Sequence, residues 1–77
     1  MLKPYEQRRI DSFEFWIGEL RGAIADKSES GIVSASRLTL ARFKEIRAYA
    51  SPEYLARSIN YIFTELNRAH EVLPDLD

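Results

Sequence analysis

At 77 residues, 45% of them hydrophobic and 30% charged, the chain has room for one small folded domain and is too apolar for wholesale disorder. The absence of cysteine and the single histidine exclude disulfide staples and leave no thiolate zinc site, so neither metal nor cofactor is expected. With a net charge of −1, the chain as a whole has no pull toward nucleic acid or an anionic membrane.

One domain is expected over 1–77, with 1–3 and 74–77 as frayed ends. Pro4 suits the first turn of a helix, where its missing N–H is harmless. From there to about Asp26, Ile10, Phe13, Ile17, Leu20 and Ile24 step 3, 4, 3, 4, an amphipathic seam on a helix over about 4–26. Trp16 and Ala23 widen it. Gly18 and Gly22, four apart on the other side next to Phe15, read either as a small-residue groove for a second helix or as two glycines on a solvent face.

Asp26-Lys27-Ser28-Glu29-Ser30-Gly31 reads as a helix end and loop. A loop over 27–33 is long enough to open, which would allow helices to exchange between chains. Ser34 is the expected cap of the second helix, with Val33 stapled to Leu38. That helix is expected over about 35–50. Its apolar residues Leu38, Leu40, Phe43, Ile46, Tyr49 and Ala50 spread over a wide, interrupted face.

Ser51-Pro52-Glu53 caps and opens the third helix, expected over about 52–73. Glu53 and Arg57 stand four apart as an ion pair. Leu55, Ile59, Ile62, Leu66, Ala69 and Leu73 step 4, 3, 4, 3, 4, an unbroken heptad seam. Pro74 ends the helix and begins a short acidic tail. The fold class is therefore all-α: three helices in a small bundle. The middle helix is too short to cover both seams, and a core this small rarely supplies more than about 3–5 kcal/mol. Completion by homodimerisation is expected.

No catalytic constellation is visible. His70 stands near a helix end without an activating partner, and the three glycines form no phosphate loop. The opening MLKPYEQRR has no signal-like apolar run, and no stretch approaches the roughly 20 apolar residues of a membrane span. A cytoplasmic protein that does not engage membranes is expected.

Residues 34–50 hold four basic side chains, Arg37, Arg42, Lys44 and Arg47, against Glu45. The segment from 51 onward holds two basic and five acidic ones. The basic helix 2 either complements the acidic helix 3 of a partner chain or forms a patch for phosphate or an acidic protein surface. Phe13, Trp16, Phe43 and Phe63 are expected in the core. Tyr54 and Tyr61, seven apart on one stripe with Arg57, are aromatic and Arg anchors typical of protein interfaces.

The run Tyr49-Ala50-Ser51-Pro52-Glu53-Tyr54-Leu55-Ala56-Arg57 resembles the turn and second helix of helix-turn-helix regulators, with Tyr49-Ala50 where a glycine commonly stands in the turn. The resemblance implies nucleic-acid binding through the basic face of helix 2 and the start of helix 3. The residues themselves favour another reading: a small, non-enzymatic regulatory or adaptor-type protein that binds another protein through a helical face. Tyr54, Arg57, Tyr61, Arg37, Arg42, Lys44 and Arg47 are its expected partner-binding residues.

Overall fold

A computed structural model describes residues 2–73. They form three helices: α1, Pro4–Ala25; α2, Glu29–Ile46; and α3, Pro52–Val72. The expected acidic tail lies outside the described residues. The start of the chain is less frayed than its composition implies. The Lys3 N–H donates to Glu6 Oε1 at 2.9 Å, closing the first turn of α1, and Leu2 packs on the core. The molecule is elongated, 42 × 19 × 17 Å with a radius of gyration of 12.9 Å, against about 11.5 Å for a compact chain of this length.

The seam of α1 is where its spacing places it. Ile10, Phe13, Leu20 and Ile24 are buried, and Ile17 is half-buried. The second helix departs from expectation. It starts at Glu29, six residues before Ala35, and Ser28 caps it by accepting the Gly31 N–H at 3.2 Å. Ser34 and Val33 lie inside the helix, so the Val33–Leu38 staple does not arise.

The reason is the turn before it. The Ser28 N–H reaches Ala23 O and the Lys27 N–H reaches Ile24 O, the paired bonds of a Schellman cap. Lys27 takes the left-handed position of that cap, φ 55°, a place usually held by glycine. The expected loop over 27–33 thus shrinks to a tight turn between two helices. Gly31 serves a different purpose. A Cβ there would stand 3.2 Å from Ala23 Cβ and 2.9 Å from Ser28 Oγ, so glycine lets α2 start hard against α1. The close approach of α1 and α2 leaves α3 as the more loosely seated element.

Helix α2 also ends early, at Ile46; the Tyr49 and Ala50 N–H groups both turn back to Ile46 O. Ser51 then caps α3, accepting the Tyr54 N–H at 3.1 Å. The expected Glu53–Arg57 ion pair is absent; among the described residues the ion pairs are Arg42–Glu45 and Arg68–Glu65.

The core is divided in two. Leu20, Ile24, Ile32, Ala35 and Ala69 form one cluster; Ile10, Phe13, Ile46 and Ile62 form the other. Trp16 packs against the first and Phe43 against the second, each only half-buried. By helical register Thr39 on α2 and Glu65 on α3 lie between the clusters. Both are almost fully buried, at 0% and 3% exposure.

The phase of α3 is the second departure. Its buried stripe is Ser58, Ile62, Glu65 and Ala69, so the helix is turned away from the expected seam. Ile59 is 41% exposed and Phe63, expected in the core, is 62% exposed. The apolar arc of α3 is wider than its two neighbours can cover.

Gly18 and Gly22 are both exposed, with nothing within 4 Å of an added Cβ; no other helix of the chain uses them as a groove. Gly18→Ala and Gly22→Ala are each expected to raise stability by about 0.5–1 kcal/mol. The urea midpoint of each variant measures this, with unchanged dependence on denaturant.

Candidate protein-binding surface

Helix α3 has a groove on each flank. On the α1 side, Tyr54, Arg57, Ser58 and Tyr61 face Phe13, Glu14 and Ile17 across a groove of about 310 Å³. The heptad spacing of Tyr54 and Tyr61 puts them on one stripe, with Arg57 between them. Three of the expected partner-binding residues are therefore brought together.

Contacts with α1 hold this edge in place. The Tyr54 hydroxyl donates to Glu14 Oε2 at 2.8 Å. The Tyr54 ring meets Phe13 edge-on, with centroids 6.4 Å apart, and the Arg21 guanidinium lies over the Tyr61 ring at 5.9 Å. Arg57 is exposed and makes no ion pair with a described residue. The groove thus offers two positioned aromatic rings and one free cation.

Burial, followed by the hydrogen bond to Glu14 and the carboxylate's charge, pushes the Tyr54 phenol well above its ordinary range. A raised phenol holds its proton more tightly folded than unfolded. Its contribution is complete below the ordinary phenol pKa, 10.0, and is lost as pH climbs beyond it. Stability is expected to fall from about pH 10 upward, and Tyr54→Phe should flatten that fall. Urea midpoints across this range read the difference.

On the α2 side, Leu40 and Phe43 face Ile59, Ile62, Phe63 and Leu66 across a groove of about 400 Å³ with an entirely apolar lining. Leu40, Ile59 and Phe63 are 43%, 41% and 62% exposed. Reading Ile59 and Phe63 as core hid this groove in the sequence. The signal was there in the breadth of the apolar arc, five residues among Leu55 to Leu66, too wide for a helix with two neighbours.

The basic residues of α2 do not act as one group. Arg37, Lys44 and Arg47 share an exposed stripe with Leu40 by register. Arg42 lies on the opposite flank, where its guanidinium donates to both oxygens of Glu45 at 2.7 and 2.8 Å. His70 is exposed near the end of α3. Among the described residues no three His, Asp or Glu side chains gather in a way that would hold a metal ion, and no helix is long and apolar enough to cross a membrane.

Comparisons with protein-family models, curated proteins and solved structures returned no match.

Proposed function

We propose that this chain is a non-enzymatic regulatory or adaptor-type protein of the cytoplasm that acts by binding another protein through a helical face, as a homodimer. The observation that carries this reading is the α1–α3 groove, which gathers Tyr54, Arg57 and Tyr61 beside Phe13. Rigid aromatic anchors with an unpaired Arg at one edge are the side chains that concentrate binding energy in protein interfaces. Because Tyr54 is tied to Glu14 and Tyr61 lies under Arg21, little side-chain entropy is lost when a partner arrives.

The test compares the intact protein with Tyr54→Ala/Arg57→Ala in affinity capture from the native lysate. A protein recovered in stoichiometric amount by the parent and lost from the variant supports the reading. Equal recovery by both removes the groove from it. Duplex DNA offers the decisive contrast. Sub-micromolar binding that weakens steeply with salt, and that depends on Arg37, Lys44 and Arg47, would overturn protein binding in favour of nucleic-acid binding.

A further inference from the structure

We infer that the apolar groove between α2 and α3 is the seat of a second copy of this chain, entered by α3 of that copy. The inference deepens the homodimer named above. It rests on that reading only in taking the molecule to work through its helical faces.

The first observation is the phase of α3. Turned a little further, the helix would bury Ile59 and release Glu65 to water. Instead it buries Ser58 and Glu65 while Ile59 and Phe63 stand in solvent. Two local rules are broken together, a buried carboxylate and an exposed Phe, and both breaks have one consequence: Ile59 and Phe63 face outward beside Leu40. Conflicts of this kind between local preference and fold mark functional surfaces.

Charge then selects the occupant. The α2 lip of the groove carries Arg37, Lys44 and Arg47, all exposed and outside both ion pairs of the described residues. The outward face of α3, next to Ile59 and Phe63 by register, carries Asn60 and Asn67 and, near its two ends, Glu53 and Glu71. These glutamates are also exposed and unpaired. A two-fold that lays α3 beside its counterpart inserts Phe63 of each copy into the other's groove. Because the groove lies between α2 and α3, a two-fold running along the helices turns the edge of the incoming α3 that carries Glu53 and Glu71 over the basic α2 lip. The same contact forms twice, as an isologous interface requires. The surface is thus complementary to itself in shape and in sign, and a copy of the chain meets both demands.

Three large apolar side chains per copy make a small anchor set, so the dimer is expected at about 10 µM rather than at nanomolar concentration. Sedimentation equilibrium of the full chain, from about 5 to about 200 µM, follows the mass from 8.9 kDa toward twice that value. Phe63→Asp, at a side chain that is 62% exposed, should stay monomeric throughout with an unchanged helical circular-dichroism spectrum. Lys44→Glu should weaken the dimer roughly tenfold.

Three results overturn the inference: a parent chain at 8.9 kDa throughout, a dimer that survives Phe63→Asp, or one indifferent to Lys44→Glu. Should Phe63→Asp lose its helices, the Lys44→Glu arm decides alone. A monomeric parent whose captured protein is still lost with Tyr54→Ala/Arg57→Ala defeats this inference and the homodimer with it, and leaves partner binding through the α1–α3 groove standing.

Discussion

Phe13→Ala is expected to leave the chain largely unfolded. Phe13 is 1% exposed and joins all three helices of its cluster. It packs with Ile46 and Ile62, stands 5.8 Å from the Phe43 ring and meets Tyr54 edge-on. Truncation removes a buried aromatic and leaves a cavity in a cluster with only four buried members. Phe→Ala lesions of this type cost about 3–5 kcal/mol, and a domain of this size without staples commonly has about 3–5 kcal/mol in all. The loss and the reserve are equal, so the folded population should collapse. Far-ultraviolet circular dichroism at low concentration reads it directly. Ile62→Asp reaches the same end by placing a carboxylate where 6% of the residue is exposed. A cooperative, near-parental melt for either variant would show that the cluster at this end of the bundle is not what holds the helices together.

The three helices were legible in the chain because each carries its own local signal. The seam of α1 and the Ser51-Pro52 cap of α3 appear where spacing and backbone chemistry put them, whereas α2 stops at Ile46, four residues before the expected Ala50. The start of α2 was not legible, because two serines, Ser28 and Ser34, are equally good caps. Gly31 pointed to a helix end, whereas Lys27 occupies the left-handed position and Gly31 relieves a contact with Ala23. That choice is tertiary and leaves no local trace. The Tyr54–Arg57–Tyr61 edge was legible because residues seven apart share a stripe. Its partner Glu14 comes from a helix 40 positions away. The apolar groove was missed for a reason of phase: periodicity tells which residues share a face, but in a wide arc it does not tell which edge of the face turns inward.

Glu65 is where that phase can be tested energetically, and Glu65→Leu is expected to stabilise the protein. The carboxylate is buried to 3% exposure between the two apolar clusters. One oxygen accepts from Arg68 at 3.1 Å; among the described residues the other, Oε2, has no partner, nor does Thr39 Oγ1. Arg68 is 55% exposed at its side chain, so solvent screens its attraction and it offsets little of the carboxylate's lost hydration. An apolar residue of similar volume removes that cost. Such exchanges are neutral or stabilising by about 1–4 kcal/mol. Arg68→Ala should act in the opposite direction, by roughly 1–3 kcal/mol, because it strands the buried carboxylate altogether. Opposite shifts of the urea midpoint for the two halves of one ion pair would show that the pair does not stabilise the bundle and that burial of Glu65 opposes folding. The phase of α3 that turns Ile59 and Phe63 outward would then be held by the packing of Ile62 and Ala69, against the cost of burying Glu65. If Glu65→Leu instead destabilises the chain, the carboxylate has a partner in solution that satisfies Oε2, and the outward phase of α3 needs no cost to explain it.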